Sequence, residues 1–196
     1  NFIDKKIFFK DKKLIIFDVG CYRGTFSQSL SRFFLTKKTD FYLFDPLIDL
    51  IKSKNYKKKN FKLFKYALDS GHPSKKIFYL NNFLYASGSS LNGSSFKDKK
   101  YKFSRNFIAF FLNPFKKMVS TIKVNTNSID YFCQKKNIKR INILKIDTEG
   151  TEIDVLLGAK RMIKNTSIVC IEIQMNKKKI QSKIKKIKNF LKNFNL

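Results

Sequence analysis

Several carboxylates of this chain stand where an apolar run stops. Residues 14–19 (LIIFDV) are apolar except for Asp18, and the chain then turns through Gly20 and Gly24. Residues 41–44 (FYLF) end at Asp45, about 20 residues beyond Gly24, a spacing at which an acidic residue accepts from ribose hydroxyls. Glycines at 20 and 24 let the backbone approach a ligand closely. Asp18 suits a ligand amine or belongs to a tight strand–helix turn; Asp45, before Pro46, has the alternative of a helix cap. Together Asp18, Gly20, Gly24 and Asp45 point to an adenosine-type cofactor. The spacing is neither the GxGxxG dinucleotide fingerprint nor a phosphate loop. Asp69, after a third run at 61–66, either meets the adenine amine or is a plain turn residue.

The second constellation is INILKIDTEGTE, residues 141–152. The chain has only three Glu, at 149, 152 and 172, all in this region. On an extended strand Lys145, Asp147 and Glu149 share a face, because side chains alternate with period two. A hydroxyl is a poor nucleophile at neutral pH, so a positioned base helps it react. Asp147 and Glu149 are candidates for that base, or for orienting a substrate or a ligand amine, and Glu172 is a third candidate. The alternative for Glu149 and Glu152 is a place at a helix start, where acids are favourable. Carboxylates in this number also suit Mg²⁺, but no ligand set is specific enough to assign one.

These residues need a scaffold, and 196 residues suit a single domain with a core. The strand-like runs at 14–19, 41–44, 61–66, 141–146 and 168–173 alternate with helical patterns at 25–35, 47–52, 128–136 and 153–163. That alternation predicts a mostly parallel sheet with right-handed crossovers. Phe26, Leu30, Phe33 and Phe34 share one helical face, and Thr25 and Ser128 are expected caps. Added strands are expected at 75–80 and 122–124. Residues 86–118 form a long insertion whose Ser87, Ser89 and Ser90 suit a lid or a flexible surface loop. Residues 177–194 read as a lysine-rich amphipathic helix with Ile180, Ile184, Ile187 and Leu191 on one side. Its apolar stripe suits core packing, a partner or an anionic membrane surface.

The formal charge of +28 fits nucleic acid, anionic membrane or a phosphorylated substrate. Only five of the 42 basic residues are Arg, the residue suited to bidentate phosphate and base contacts, so nucleic acid is not the expected main partner. The abundance of Lys, Asn, Ile and Phe looks like A+T-rich coding bias. Cys21, Cys133 and Cys170 form neither a disulfide framework nor a CxxC metal site, and a reducing cytoplasm is the expected compartment. The single His72 leaves Ser–His and Cys–His mechanisms little to build on. No apolar run reaches the length of a membrane span, the longest being 107–112. No signal peptide is visible, and a start at Asn1 leaves open a longer parent chain.

FDVGCYRGTF, YLFDP, ALDSG, SGSSL, KIDTEGTEIDVLLGA and IVCIEI follow, in order and spacing, the pattern of FkbM-type S-adenosylmethionine-dependent methyltransferases. The resemblance spans roughly residues 14–174, and KIDTEG followed by VLLGA is its most specific part. It implies a class I methyltransferase, Rossmann-like α/β fold with helices on both faces of a mostly parallel sheet. It also implies O-methyl transfer to a sugar or other small-molecule hydroxyl. By the resemblance Asp18, Gly20, Tyr22 and Gly24 hold the methionine part of the cofactor, and Asp45 its ribose. Cys21, Tyr22 and Arg23 replace small residues frequent in the family turn. The last two strands of the fold are missing, so either the chain is cut short or the sheet has five core strands plus additions. The expectation is one domain over 1–196, S-adenosylmethionine as cofactor and a glycan or small-molecule acceptor, phosphorylated or lipid-linked. A nucleic-acid methyltransferase and a non-catalytic scaffold on the same fold are the alternatives.

Overall fold

A computed structural model of the chain describes residues 13–34, 38–50, 60–82, 88–93, 119–173 and 180–194. Ser87, the stretches 57–59 and 107–112, and the insertion's 96–118 lie outside the described residues. Five strands pair in parallel in the order β3-β2-β1-β7-β8: β1 (Lys13–Val19), β2 (Lys38–Phe44), β3 (Phe61–Phe64), β7 (Ile141–Ile146) and β8 (Thr166–Ile171). A second sheet joins β4 (Ala67–Leu68), β6 (Val119–Asn127) and β5 (Ser74–Asn81), with β6 central and antiparallel to β5.

The apolar runs are continuous because both faces of the main sheet are covered. Leu14, Ile16, Phe41, Leu43 and Ile143 face α1 (Thr25–Phe33), whose Phe26 and Leu30 pack on them. Phe17, Val19, Tyr42, Phe44, Leu144 and Ile146 face the other way. There they meet Phe132 of α2 (Ile129–Lys135), Val155 and Leu156 of α3 (Glu152–Leu157) and Ile187 of α4 (Ile180–Lys192). Phe132 sets its ring edge-on to Phe17, Phe44 and Phe64, at centroid distances of 5.7, 5.0 and 4.8 Å. Each such side chain contributes about 1.5–3 kcal/mol by leaving water. This is the Rossmann-like α/β architecture expected from the sequence. The amphipathic stripe of α4 covers the core, as one of its three readings had it.

Several elements differ from the sequence expectation, each for a physical reason. The helix expected over 153–163 stops at Leu157, and a 3₁₀ turn follows at Met162–Asn165. Gly158 follows the last helical residue, and a Cβ there would lie 2.0 Å from the Asp69 carbonyl oxygen, so the chain passes Asp69 only as glycine. Thr25 does not cap α1; Gly24, left-handed at φ 65°, precedes the helix with no side-chain cap. Ser128 does cap α2, accepting from the Tyr131 N–H at 3.3 Å. The short strand expected at 122–124 runs from Val119 to Asn127 because β5 pairs along its whole length. Of the expected helix at 47–52, the described part holds a 3₁₀ turn at Ile48–Leu50, and 51–52 lie outside the described residues. Past β7, Lys145 and Asp147 lie on one side, while Glu149, at φ +53°, has left the extended conformation that the alternation assumed.

Candidate active site

The strands advance from β1 through β2 to β3 on one side, then return to β7 and β8 on the other. The order therefore reverses between β1 and β7, and in open α/β sheets ligands bind beyond the carboxyl ends of the strands at such a point. The ladder continues one residue past each strand. Gly20 N–H donates to the Phe44 carbonyl (2.9 Å), Asp45 N–H to Phe64 (3.2 Å), Asp147 N–H to Val19 (2.9 Å) and Glu172 N–H to Ile146 (2.9 Å). Glycine, two aspartates and a glutamate thus stand in a row along the carboxyl edge.

A cleft opens above this row. Gly20, Tyr22, Asp45, Asp147, Thr148 and Glu149 give it polar walls. Leu47, Leu68, Phe78 and Leu91 give it an apolar side suited to a flat base. Gly88, Ser89 and Leu91 come from the insertion. That segment is docked: Ser90 and Tyr79 exchange backbone hydrogen bonds of 3.0 and 2.8 Å, and the Ser90 hydroxyl donates to the Thr148 carbonyl at 3.0 Å. Ser90 is therefore a latch for the loop after β7, not a wall of the cleft.

The turn after β1 depends on Gly20. Its φ is +70°, and a Cβ would fall 1.8 Å from the Asp147 carbonyl oxygen, so only glycine lets the ends of β1 and β7 come this close. Tyr22 is also left-handed, at φ 47°. Its N–H donates to Asp45 Oδ2 at 2.9 Å while Leu47 N–H donates to Oδ1 at 2.8 Å. Burial pushes the Asp45 carboxyl up from its ordinary range, and these two N–H groups work against that. Each oxygen keeps a second lone pair for a ligand.

Asp18 is fully buried beneath α1 and does not line the cleft. Its Oδ2 accepts from the Ser27 hydroxyl at 2.7 Å and its Oδ1 lies 3.3 Å from Lys145 Nζ. Burial raises its carboxyl despite the Lys145 ammonium. Lys145 also reaches Asp147 Oδ2 at 3.1 Å. Burial works against its ammonium, but the carboxylates of Asp18 and Asp147 outweigh it and hold Lys145 above its usual range. Asp69 lies outside the cleft, held by Lys76 at 2.7 Å and by the Gly71 N–H at 2.8 Å, while its neighbours Ala67 and Leu68 form the wall. Glu172 stands just past β8, largely exposed; the Asp147 carboxylate beside it, then partial burial, raises its carboxyl. Glu152 opens α3 fully buried, accepting from Gly150 N–H at 2.8 Å and pairing with Lys183 of α4. Burial also pushes the Cys21 thiol well up, so it stays protonated.

Of the residues singled out in the sequence, Gly20, Tyr22, Asp45, Ser89, Asp147 and Glu149 line the cleft. Lys145 and Ser27 were given no role there, nor were Phe78 and Leu91. A lysine inside an otherwise buried strand was the signal available for the first. The apolar walls come from tertiary packing that local spacing does not carry. Among the described residues no group of three or more His, Cys, Asp or Glu is arranged to hold a metal ion.

A family model described as the methyltransferase FkbM domain matches residues 18–195. The sheet order, with the cleft at its reversal point, is consistent with a Rossmann-like methyltransferase fold. The chain belongs to the FkbM methyltransferase family. No match was found among curated proteins or among solved structures.

Proposed function

We propose that this chain is an S-adenosylmethionine-dependent O-methyltransferase acting on a sugar or other small-molecule hydroxyl, in glycan or secondary-metabolite biosynthesis. The observation that carries the reading is electrostatic. The chain has a formal charge of +28, yet Asp45, Asp147 and Glu149 line the cleft and no Lys or Arg does among the described residues. An acidic cleft in a basic protein suits a ligand of net positive charge. S-adenosylmethionine is one, with an ammonium and a sulfonium against a single carboxylate.

The residues fit that group. Asp45 offers two outward lone pairs to a ribose diol, and Leu47, Leu68, Phe78 and Leu91 offer an apolar face to adenine. The Thr148 hydroxyl, buried beside the cleft, has no hydrogen-bond partner among the described residues and awaits one. Gly20, Tyr22 and Gly24 hold the turn open for the methionine part. When bound, the cofactor would supply a sulfonium methyl group whose carbon a hydroxyl oxygen attacks with inversion, the C–S bond breaking and its electron pair leaving on sulfur. The chain's own task is to line up the hydroxyl and take its proton, for which Asp147 and Glu149 stand in the cleft. The +28 charge would favour a phosphorylated or lipid-linked acceptor. Cys21, Cys133 and Cys170 are free thiols, in keeping with a cytoplasmic setting.

The test is transfer of a labelled methyl group from S-adenosylmethionine to a panel of neutral glycosides, sugar phosphates and RNA. The expected product is a base-stable methyl ether on a saccharide. Transfer to RNA alone, or to an amine, would overturn the reading.

A further inference from the structure

The loop after β7 brings Asp147, Thr148, Glu149 and Thr151 into the wall of the cleft, and Gly150 sits among them. At a φ of +120° Gly150 holds a conformation that side chains rarely adopt, and a Cβ there would meet Asn92 Nδ2 of the insertion at 3.1 Å. Its N–H donates to Glu152 Oε1 at 2.8 Å. Glu152 is fully buried, and its second oxygen, Oε2, pairs with the Lys183 ammonium of α4. Among the described residues Oε2 accepts no hydrogen bond that could stand in for this pair. A buried carboxylate without a counter-charge is costly, so Glu152 depends on α4 to supply one. A carboxylate is planar, so a cation held on Oε2 also fixes the direction in which Oε1 meets Gly150. The path from the C-terminal helix to the cleft is thus two contacts long.

We propose that Lys183 is a positioning residue of the cleft: through Glu152 it holds the Gly150 peptide, and with it the loop that presents Asp147, Thr148 and Glu149. The C-terminal helix is then a support of the site as well as a cover for the core. Its hold on the core is separate, through the buried Ile187 and through Phe190, Leu191 and Phe194 packed beside it. Two other anchors reach the loop, the Ser90 hydroxyl at 3.0 Å and the Thr151 hydroxyl at 3.4 Å, and both donate to the Thr148 carbonyl. Neither engages the Gly150 N–H, so the loss of Lys183 is felt first at Gly150. The inference goes beyond the O-methyltransferase reading, because it concerns the cleft wall whatever the ligand.

The test is residue-by-residue amide exchange, followed by NMR on the full ligand-free chain. The Gly20 and Glu172 N–H groups, bonded along the sheet edge, serve as the reference. In Lys183→Met the exchange rate of Gly150 relative to these two is expected to rise about tenfold, as a local opening and not a global one. Lys183→Arg, which keeps a cation on Oε2, is expected to hold the wild-type ratio. Ile187→Val, which weakens the packing of α4 but not the pair, is expected to lower the melting temperature and leave the ratio unchanged. An unchanged ratio in folded Lys183→Met would overturn the proposal, as would an equal rise in Lys183→Arg or Ile187→Val. If Lys183→Met does not fold, Glu152→Gln decides: it keeps an acceptor for Gly150, and the partly exposed Lys183 turns to water. There the ratio is expected to rise about threefold, and no rise would overturn the proposal. At the cleft, Lys183→Met is expected to bind S-adenosylhomocysteine about tenfold more weakly than Lys183→Arg by calorimetry, and equal affinities would overturn it. Exchange needs no ligand, so a wild-type chain that binds nothing contradicts the methyltransferase reading and leaves this inference to be decided by exchange alone.

Discussion

Replacing Asp45 by Asn keeps its shape and removes its charge. In the structure both oxygens already accept a backbone N–H, from Tyr22 at 2.9 Å and Leu47 at 2.8 Å. A ribose diol would add two hydrogen bonds to a charged acceptor, each about 1.5–3 kcal/mol. Asn keeps one neutral acceptor and turns an amide NH₂ toward one of the two backbone donors. The expected loss in cofactor binding is about 2–3 kcal/mol, or roughly 30- to 150-fold in Kd. The loss in stability is smaller, about 1 kcal/mol, because one backbone bond breaks while the penalty for burying a charge is relieved. Calorimetric titration with S-adenosylmethionine measures the first and thermal unfolding without ligand the second. A folded Asp45→Asn chain that binds as wild type does would refute the assignment of Asp45 to the ribose.

Two further substitutions probe the scaffold. Gly20→Ala combines a left-handed backbone, costing about 1–2 kcal/mol, with a Cβ 1.8 Å from the Asp147 carbonyl; it is expected to lower the denaturant midpoint and abolish cofactor binding, and wild-type binding would contradict the close approach of β1 and β7. Asp40 lies between Lys13 and Lys62; burial opposes its ionisation, but the two ammonium groups outweigh it and hold the carboxyl below its ordinary range. Its stabilising effect is therefore present above the unfolded value of about 3.9 and is lost as pH falls through the lower folded value. Asp40→Asn is expected to destabilise the chain at pH 7 and to match wild type once the Asp40 carboxyl is protonated in the folded and the unfolded chain alike, as urea unfolding at the two pH values would show; an equal loss at both would contradict the ion-pair origin.

The main sheet was legible because its strands are buried on both faces, so β1, β2 and β7 read as mainly apolar runs, the first holding Asp18 near its end and the other two stopping at Asp45 and Asp147. Gly20, Asp45, Asp147 and Glu149 in the cleft were legible for the same reason: each follows a strand, and strand ends are where the fold gathers ligand-binding groups; Tyr22 came from the family resemblance alone. What alternation alone could not give was the turn of the chain at Glu149, because a positive φ ends the period of two. Nor could sequence separate Asp18, which points under α1 to Ser27 and Lys145, from Asp45, which faces the cleft. Both are aspartates at or near strand ends, and only the neighbours tell them apart. Asp69 and Glu152 are alike in this: their partners, Lys76 and Lys183, lie on elements whose approach is set by packing.

The most direct measurement is calorimetric titration of the wild-type chain with S-adenosylmethionine and, separately, with the uncharged-sulfur product S-adenosylhomocysteine. The acid-lined cleft predicts one site of micromolar affinity for the sulfonium form, with binding that weakens as salt is added. A folded chain that gives no heat with either compound would contradict the account.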